Sequence, residues 1–112
     1  MKIAIPLADG RLCMHFGHCE TFALVDVDPA EKKIVSTSNV EAPPHQPGLL
    51  PRWLAEKNVT CVIAGGMGQR AVGLFQERGI TVITGAPPEP PEKVVTDFLE
   101  NRLATGPNAC DH

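Results

Sequence analysis

The 112-residue sequence has no tyrosine, one tryptophan and four phenylalanines, and its ten basic residues nowhere gather into a stripe. Without a basic track for phosphates or a run of aromatics on which bases could stack, no nucleic-acid partner is expected. No stretch approaches the run of about 20 apolar residues that crosses a bilayer, so no membrane association is expected either. The opening MKIAIPLADG lacks the basic region, long apolar run and cleavage site of a secretory leader. The expected compartment is therefore the cytoplasm, and the four cysteines are expected as free thiols rather than as two disulfides. Catalytic signatures are missing as well. No Ser, Asp or Glu sits in a nucleophile elbow, and Asp26 and Asp28, alternating with Val27, read as turn and edge residues. The expectation is a protein that is not an enzyme.

Against these absences stands one concentration. CMHFGHC, residues 13 to 19, holds two thiols and two imidazoles in a chain with only four cysteines and four histidines. Four such ligands would complete a zinc tetrahedron, but structural zinc sites usually take ligand pairs from separate turns. Cys13, His15, His18 and Cys19 share one short loop, and neighbours such as His18 and Cys19 tend to point apart, so at most two or three can converge.

The rest of the chain reads as one compact domain, residues 1–106, with 107–112 as a flexible tail. MKIAIP and TFALVDVD alternate and are rich in β-branched residues. KIVSTSNVEA follows as a third strand after the turn-forming DPAEKK. A proline-rich loop, APPHQPG, leads to a helix with Leu49, Leu50, Trp53 and Leu54 on its apolar face, closing near Asn58. VTCVIAGG is a continuous apolar run, as in a strand buried on both faces. MGQRAVGLFQERG reads as a helix ended by Gly79, ITVITG as another buried strand, and PPEKVVTDFLENRLATG as a last helix.

The order βββαβαβα implies an α/β fold with three helices on a five-stranded mixed sheet of order 3-2-1-4-5, strand 2 antiparallel. In such sheets ligands collect beyond the carboxyl ends of the strands where the winding reverses, here between strands 1 and 4. The loop after strand 1 holds CMHFGHC, and the loop after strand 4 is GGMGQR. Two segments far apart in sequence are thus expected to face one crevice.

In the second loop, Gly65, Gly66 and Gly68 would let the backbone approach a ligand, and the N–H groups that open the next helix favour an anion. The loop lacks the Gly-Lys-Ser/Thr ending of a P-loop and does not match the dinucleotide fingerprint. A tight strand-to-helix turn without a ligand is the alternative.

MKIAIP, then HFGHC before TFALVDVD, then VIAGGMGQRA before the second helix, together resemble the dinitrogenase iron-molybdenum cofactor biosynthesis family, the small NifX-like domains and their orange-protein relatives. The resemblance covers nearly the whole chain. It implies a ribonuclease H-like fold and the binding or carrying of a preformed metal-sulfur cluster, either an iron-molybdenum cofactor precursor or a molybdenum-copper-sulfide cluster. A protein that donates or accepts the cluster would be the partner. His15, Phe16 and Gly17 match the family motif by position, whereas Cys13 and Cys19 fall where relatives often have small or polar residues.

Such a cluster arrives with most metal valences filled and a net negative charge, so one or two protein ligands, N–H donors and an apolar wall suffice. His15 is the first candidate ligand, His18 the second, and Cys13 or Cys19 are thiolate alternatives. Phe16 and Met67 would shield the cluster, and Gly17 would permit the turn. Phe16 and Cys19 read equally well as core residues. His45 reads as a solvated loop residue.

The tail NACDH repeats the Cys-x-His spacing of CMH, so a zinc site of Cys13, His15, Cys110 and His112 is the rival metal reading. A non-catalytic interaction domain is the third.

Overall fold

The computed structural model describes residues 1–16, 19–43 and 48–106. Strand β1 (Lys2–Ala8) is its spine, with the five central residues all buried. The chain then turns at Asp9 and Gly10, both at positive φ (56° and 77°), and returns for two residues as β2 (Arg11–Leu12). Leu7 pairs with Leu12 and Ala8 with Arg11. An Asp-Gly pair at positive φ is the sequence of a two-residue hairpin, whose twist matches that of the strands it joins.

Next come β3 (Thr21–Asp28) and β4 (Lys33–Glu41), α1 (Leu49–Glu56), β5 (Cys61–Ile63), α2 (Gln69–Glu77), β6 (Thr81–Ile83) and α3 (Pro91–Leu99). The sheet order is β4-β3-β1-β5-β6, with β2 beside β1. Among the described residues the fold is mixed α/β with three helices, but the sheet has six strands where five were expected. The extra strand is β2, and with it set aside the five longer strands lie in the order 3-2-1-4-5. β3 runs antiparallel to β1 and β4, while β5 runs parallel to β1 and β6.

Pro6 shows why the sheet opens where it does. Parallel pairing of β1 with β5 covers only Ile3 with Cys61 and Ala4 with Val62. Beyond that point the Pro6 carbonyl accepts the Cys13 N–H at 2.7 Å, so Pro6 directs its backbone to the β2 side. A residue without an N–H costs the ladder nothing there, because β5 has already diverged.

Side chains alternate between two cores. Ile3, Ile5, Val25, Cys61 and Ile63 meet Val94, Val95 and Leu99 of α3 on one face. Ala4, Phe22, Leu24 and Val62 meet Leu50 and Leu54 of α1 and Phe75 of α2 on the other.

All three helices end in the same backbone motif. Asn58, Gly79 and Asn101 take positive φ (66°, 74° and 59°), which turns the chain out of the helix. Each donates to the carbonyl three residues earlier, and the following residue donates to the carbonyl five earlier: Val59 to Leu54, Ile80 to Phe75 and Arg102 to Asp97. The third case corrects an expectation. The last helix was expected to run on toward Gly106, but Asn101 stops it, and the stretch after it returns to the sheet end, where the Gly106 N–H donates to the Gly85 carbonyl at 2.8 Å. Among the described residues no helix is long and apolar enough to cross a membrane.

Candidate functional site

The β1–β2 hairpin delivers the His/Cys loop to the open end of the sheet. With Cys13 N–H on the Pro6 carbonyl and Glu20 N–H on the Leu7 carbonyl at 2.8 Å, both ends of the loop are fixed to the exit of β1. Its middle is fixed by Phe16. That ring is 6% exposed and stands edge-on to Phe22 (5.9 Å between centroids) and Phe75 (5.5 Å), so it is a core residue as well as part of the motif. The Phe16 N–H donates to the Gly66 carbonyl at 3.0 Å. The two loops expected to share a crevice are therefore hydrogen-bonded to each other.

With Phe16 inserted, His15 and Met14 are left at the surface, and Cys13 is drawn beneath them. The Cys13 thiol donates to the His15 carbonyl at 3.1 Å. Cys19 is half-buried at the other end of the loop. Its pKa is pushed up to about 11, chiefly by burial and further by Cys13, against an opposing backbone hydrogen bond. An uncompensated thiolate is disfavoured here, and a cation would supply the compensation.

The glycine turn divides into residues with different tasks. A Cβ on Gly65 would lie 3.0 Å from the Met14 Cα, 3.1 Å from the Met14 Sδ and 3.3 Å from the Cys13 carbonyl oxygen, so the turn and the loop touch through a residue without a side chain. Gly66 is buried and supplies the carbonyl that holds Phe16. Gly68 has open space about it and sits at the N-cap of α2 with an extended backbone. Among the described residues no side chain caps α2, and its first turn has no acid, so they do not offset the positive end of the helix. Met67 has no exposed surface and lies in the same buried cluster as Phe16 and Phe75, so it is a core residue.

Met14 was not among the expected residues. It is 39% exposed, with its thioether against Gly65, and an apolar residue between Cys13 and His15 was the available signal. Gly17 and His18, like His45, Cys110 and His112, lie outside the described residues. Among the described residues no group of three or more His, Cys, Asp or Glu side chains is placed to hold a metal ion. The described part of the loop is thus not by itself a closed zinc site.

A family model described as dinitrogenase iron-molybdenum cofactor matches residues 1–101. The chain belongs to this family. It is 31% identical over 106 residues to an uncharacterised protein of Methanocaldococcus jannaschii, covering 92% of this chain and 89% of the relative. Among solved structures, that of PH0822 superposes with a TM-score of 0.86 at 29% identity over 94% of each chain. The apo orange protein of Desulfovibrio gigas superposes with a TM-score of 0.72 at 22% identity, over 96% of this chain and 93% of that one, a likeness of fold.

Proposed function

We propose that this protein binds a preformed metal-sulfur cluster, of molybdenum with iron or copper, between loop 13–19 and the glycine turn 65–70, and carries it without transforming it. One observation carries the reading. The Phe16 to Gly66 hydrogen bond holds soft side chains beside a helix N-terminus, where a thiophilic and anionic ligand meets both of its requirements. Sulfide-rich clusters are anionic and their metals accept imidazole or thiolate, so few protein ligands are needed. Support also comes from the family, whose description names the iron-molybdenum cofactor.

In this reading His15 is the first ligand, with His18, Cys13 and Cys19 as further donors. The N–H groups opening α2 offset the cluster's charge. Phe16 and Met67 shield the cluster from water, and Gly17, Gly65 and Gly66 let the backbone come close. The fold is of the ribonuclease H-like kind, residues 1–106 form the cluster-binding domain, and the chain is not an enzyme. It acts in the cytoplasm between a protein that supplies the cluster and one that accepts it.

The test is metal and sulfide analysis, with a visible spectrum, of the protein purified without air from its native host. Molybdenum and acid-labile sulfide with iron or copper are expected. A colourless protein holding one equivalent of zinc would overturn the reading.

A further inference from the structure

Strand β4 ends the sheet on the side away from β5 and β6, and among the described residues its outer edge pairs with nothing. At nine residues, KIVSTSNVE, it is also the longest of the described strands, and only Ile34 and Val40 in it are half-buried. Soluble proteins usually keep an edge strand from pairing by making it short or by giving it proline, charge or a bulge. β4 has a bulge only near its start, where Val27 pairs with Ile34 and Asp26 with Ser36, leaving Val35 as an extra residue that is 65% exposed. From Ser36 to Val40 the strand has neither charge nor proline, and its register with β3 is unbroken. The opposite edge strand, β6, is only three residues long.

This edge is matched to itself. Turned antiparallel about Thr37, it sets Ser36 against Ser38 and its basic start against its acidic end. The extra residue at Val35 moves the position opposite Glu41 from Lys33 to Lys32, so an exposed lysine faces an exposed glutamate in either register. Opposite charges and paired hydroxyls across neighbouring strands both stabilise a sheet. We propose that the outer edge of β4 pairs antiparallel with β4 of a second copy of this chain, joining the two sheets in a symmetric dimer. A seam of one strand from each copy is small beside the about 1,200–2,000 Å² of a standard interface, so the dimer is reversible, with a Kd between about 1 μM and 1 mM. Because β3 runs antiparallel to both β1 and β4, β1 and β4 share one direction. The two copies of β1 in the dimer therefore run opposite ways, and the two candidate sites open at opposite ends of the joined sheet, both clear of the seam.

Two measurements on the full-length apo chain decide it. Sedimentation velocity over a concentration series up to about 1 mM should show a monomer–dimer equilibrium. Lys32→Glu combined with Lys33→Glu should weaken it at least about tenfold, because attraction at both ends of the seam becomes repulsion, and Glu41→Lys should do the same. Mixing these two variants, or placing all three substitutions in one chain, should restore association, with circular dichroism confirming that each variant is folded. In the second measurement, hydrogen exchange at low and high concentration should show amides within 33–41 gaining protection as the chains associate. A chain that stays monomeric at about 1 mM overturns the proposal and leaves the edge to a strand of another protein. A dimer indifferent to the charge changes, or protection gained only outside 33–41, overturns it as well. No cluster enters either measurement, so the result does not depend on the cluster-binding reading.

Discussion

The Phe16 backbone donates a hydrogen bond to the Gly66 carbonyl at 3.0 Å while the Phe16 ring sits edge-on against Phe75, so one residue joins the ligand loop to both the glycine turn and the helix that follows it. Phe16→Ala should therefore lower stability by about 3–5 kcal/mol, the usual cost of emptying an aromatic core position. Phe16→Leu should cost distinctly less. Urea unfolding followed by circular dichroism measures both, and a wild-type midpoint for the alanine variant would show that the ring is not part of the core.

Gly65 and Gly68 should respond differently to the same change. Alanine at Gly65 puts a Cβ 3.0 Å from the Met14 Cα, so the loop must shift, at a cost of about 1–3 kcal/mol and with impaired ligand binding. Alanine at Gly68 meets no described atom within 4 Å and should leave folding stability near wild type. Equal effects of the two substitutions would contradict the close contact between loop and turn.

Much of this arrangement was legible from the residues, and the gaps have physical causes. VTCVIAGG announced a doubly covered strand because it carries no charged residue and Thr60, at its start, is its one polar side chain, and the winding order then placed two distant loops together. The Asp9-Gly10 hairpin was missed because β2 is only two residues long, too short for any periodicity, although the dipeptide itself is a turn signal. The last helix was drawn too long because Asn101 was not read as its end, and its apolar pattern continues into Leu103 after the backbone has turned away. The double role of Phe16 could not be separated in sequence, since a motif residue and a core residue look alike there.

The two thiols with raised pKa values predict how stability depends on pH. Burial favours the neutral thiol of Cys19 and of Cys61, lifting both from 9.0 to about 11. A raised folded-state value means the contribution is complete below 9.0 and is lost as pH climbs toward about 11. Apo protein should lose stability across that interval, and Cys61→Ala should lose less of its own stability over the same range. Thermal midpoints measured at several pH values test this, and identical pH dependence in the two proteins would contradict it.

Chelators should leave the fold intact. The two cores are built almost wholly from aliphatic and aromatic side chains, whose burial supplies the stability that a zinc finger must draw from its ion. Treatment with EDTA should not alter the far-ultraviolet circular dichroism. A cooperative loss of helix would instead favour the zinc site of Cys13, His15, Cys110 and His112.

In the proposed site His15, whose neighbours Met14 and Phe16 meet Gly65 and Gly66, holds a metal-sulfur cluster. The most direct test of this assignment is reconstitution of the apo protein with tetrathiomolybdate and copper, or with an iron-sulfur precursor, titrated by visible absorbance. Wild type should bind to saturation, Cys13→Ser combined with Cys19→Ser should bind only modestly more weakly, and His15→Ala should weaken binding at least about tenfold while keeping its circular dichroism, as expected for loss of a metal ligand. Full binding by His15→Ala together with complete loss in the double cysteine variant would contradict the account and make the thiolates the ligands.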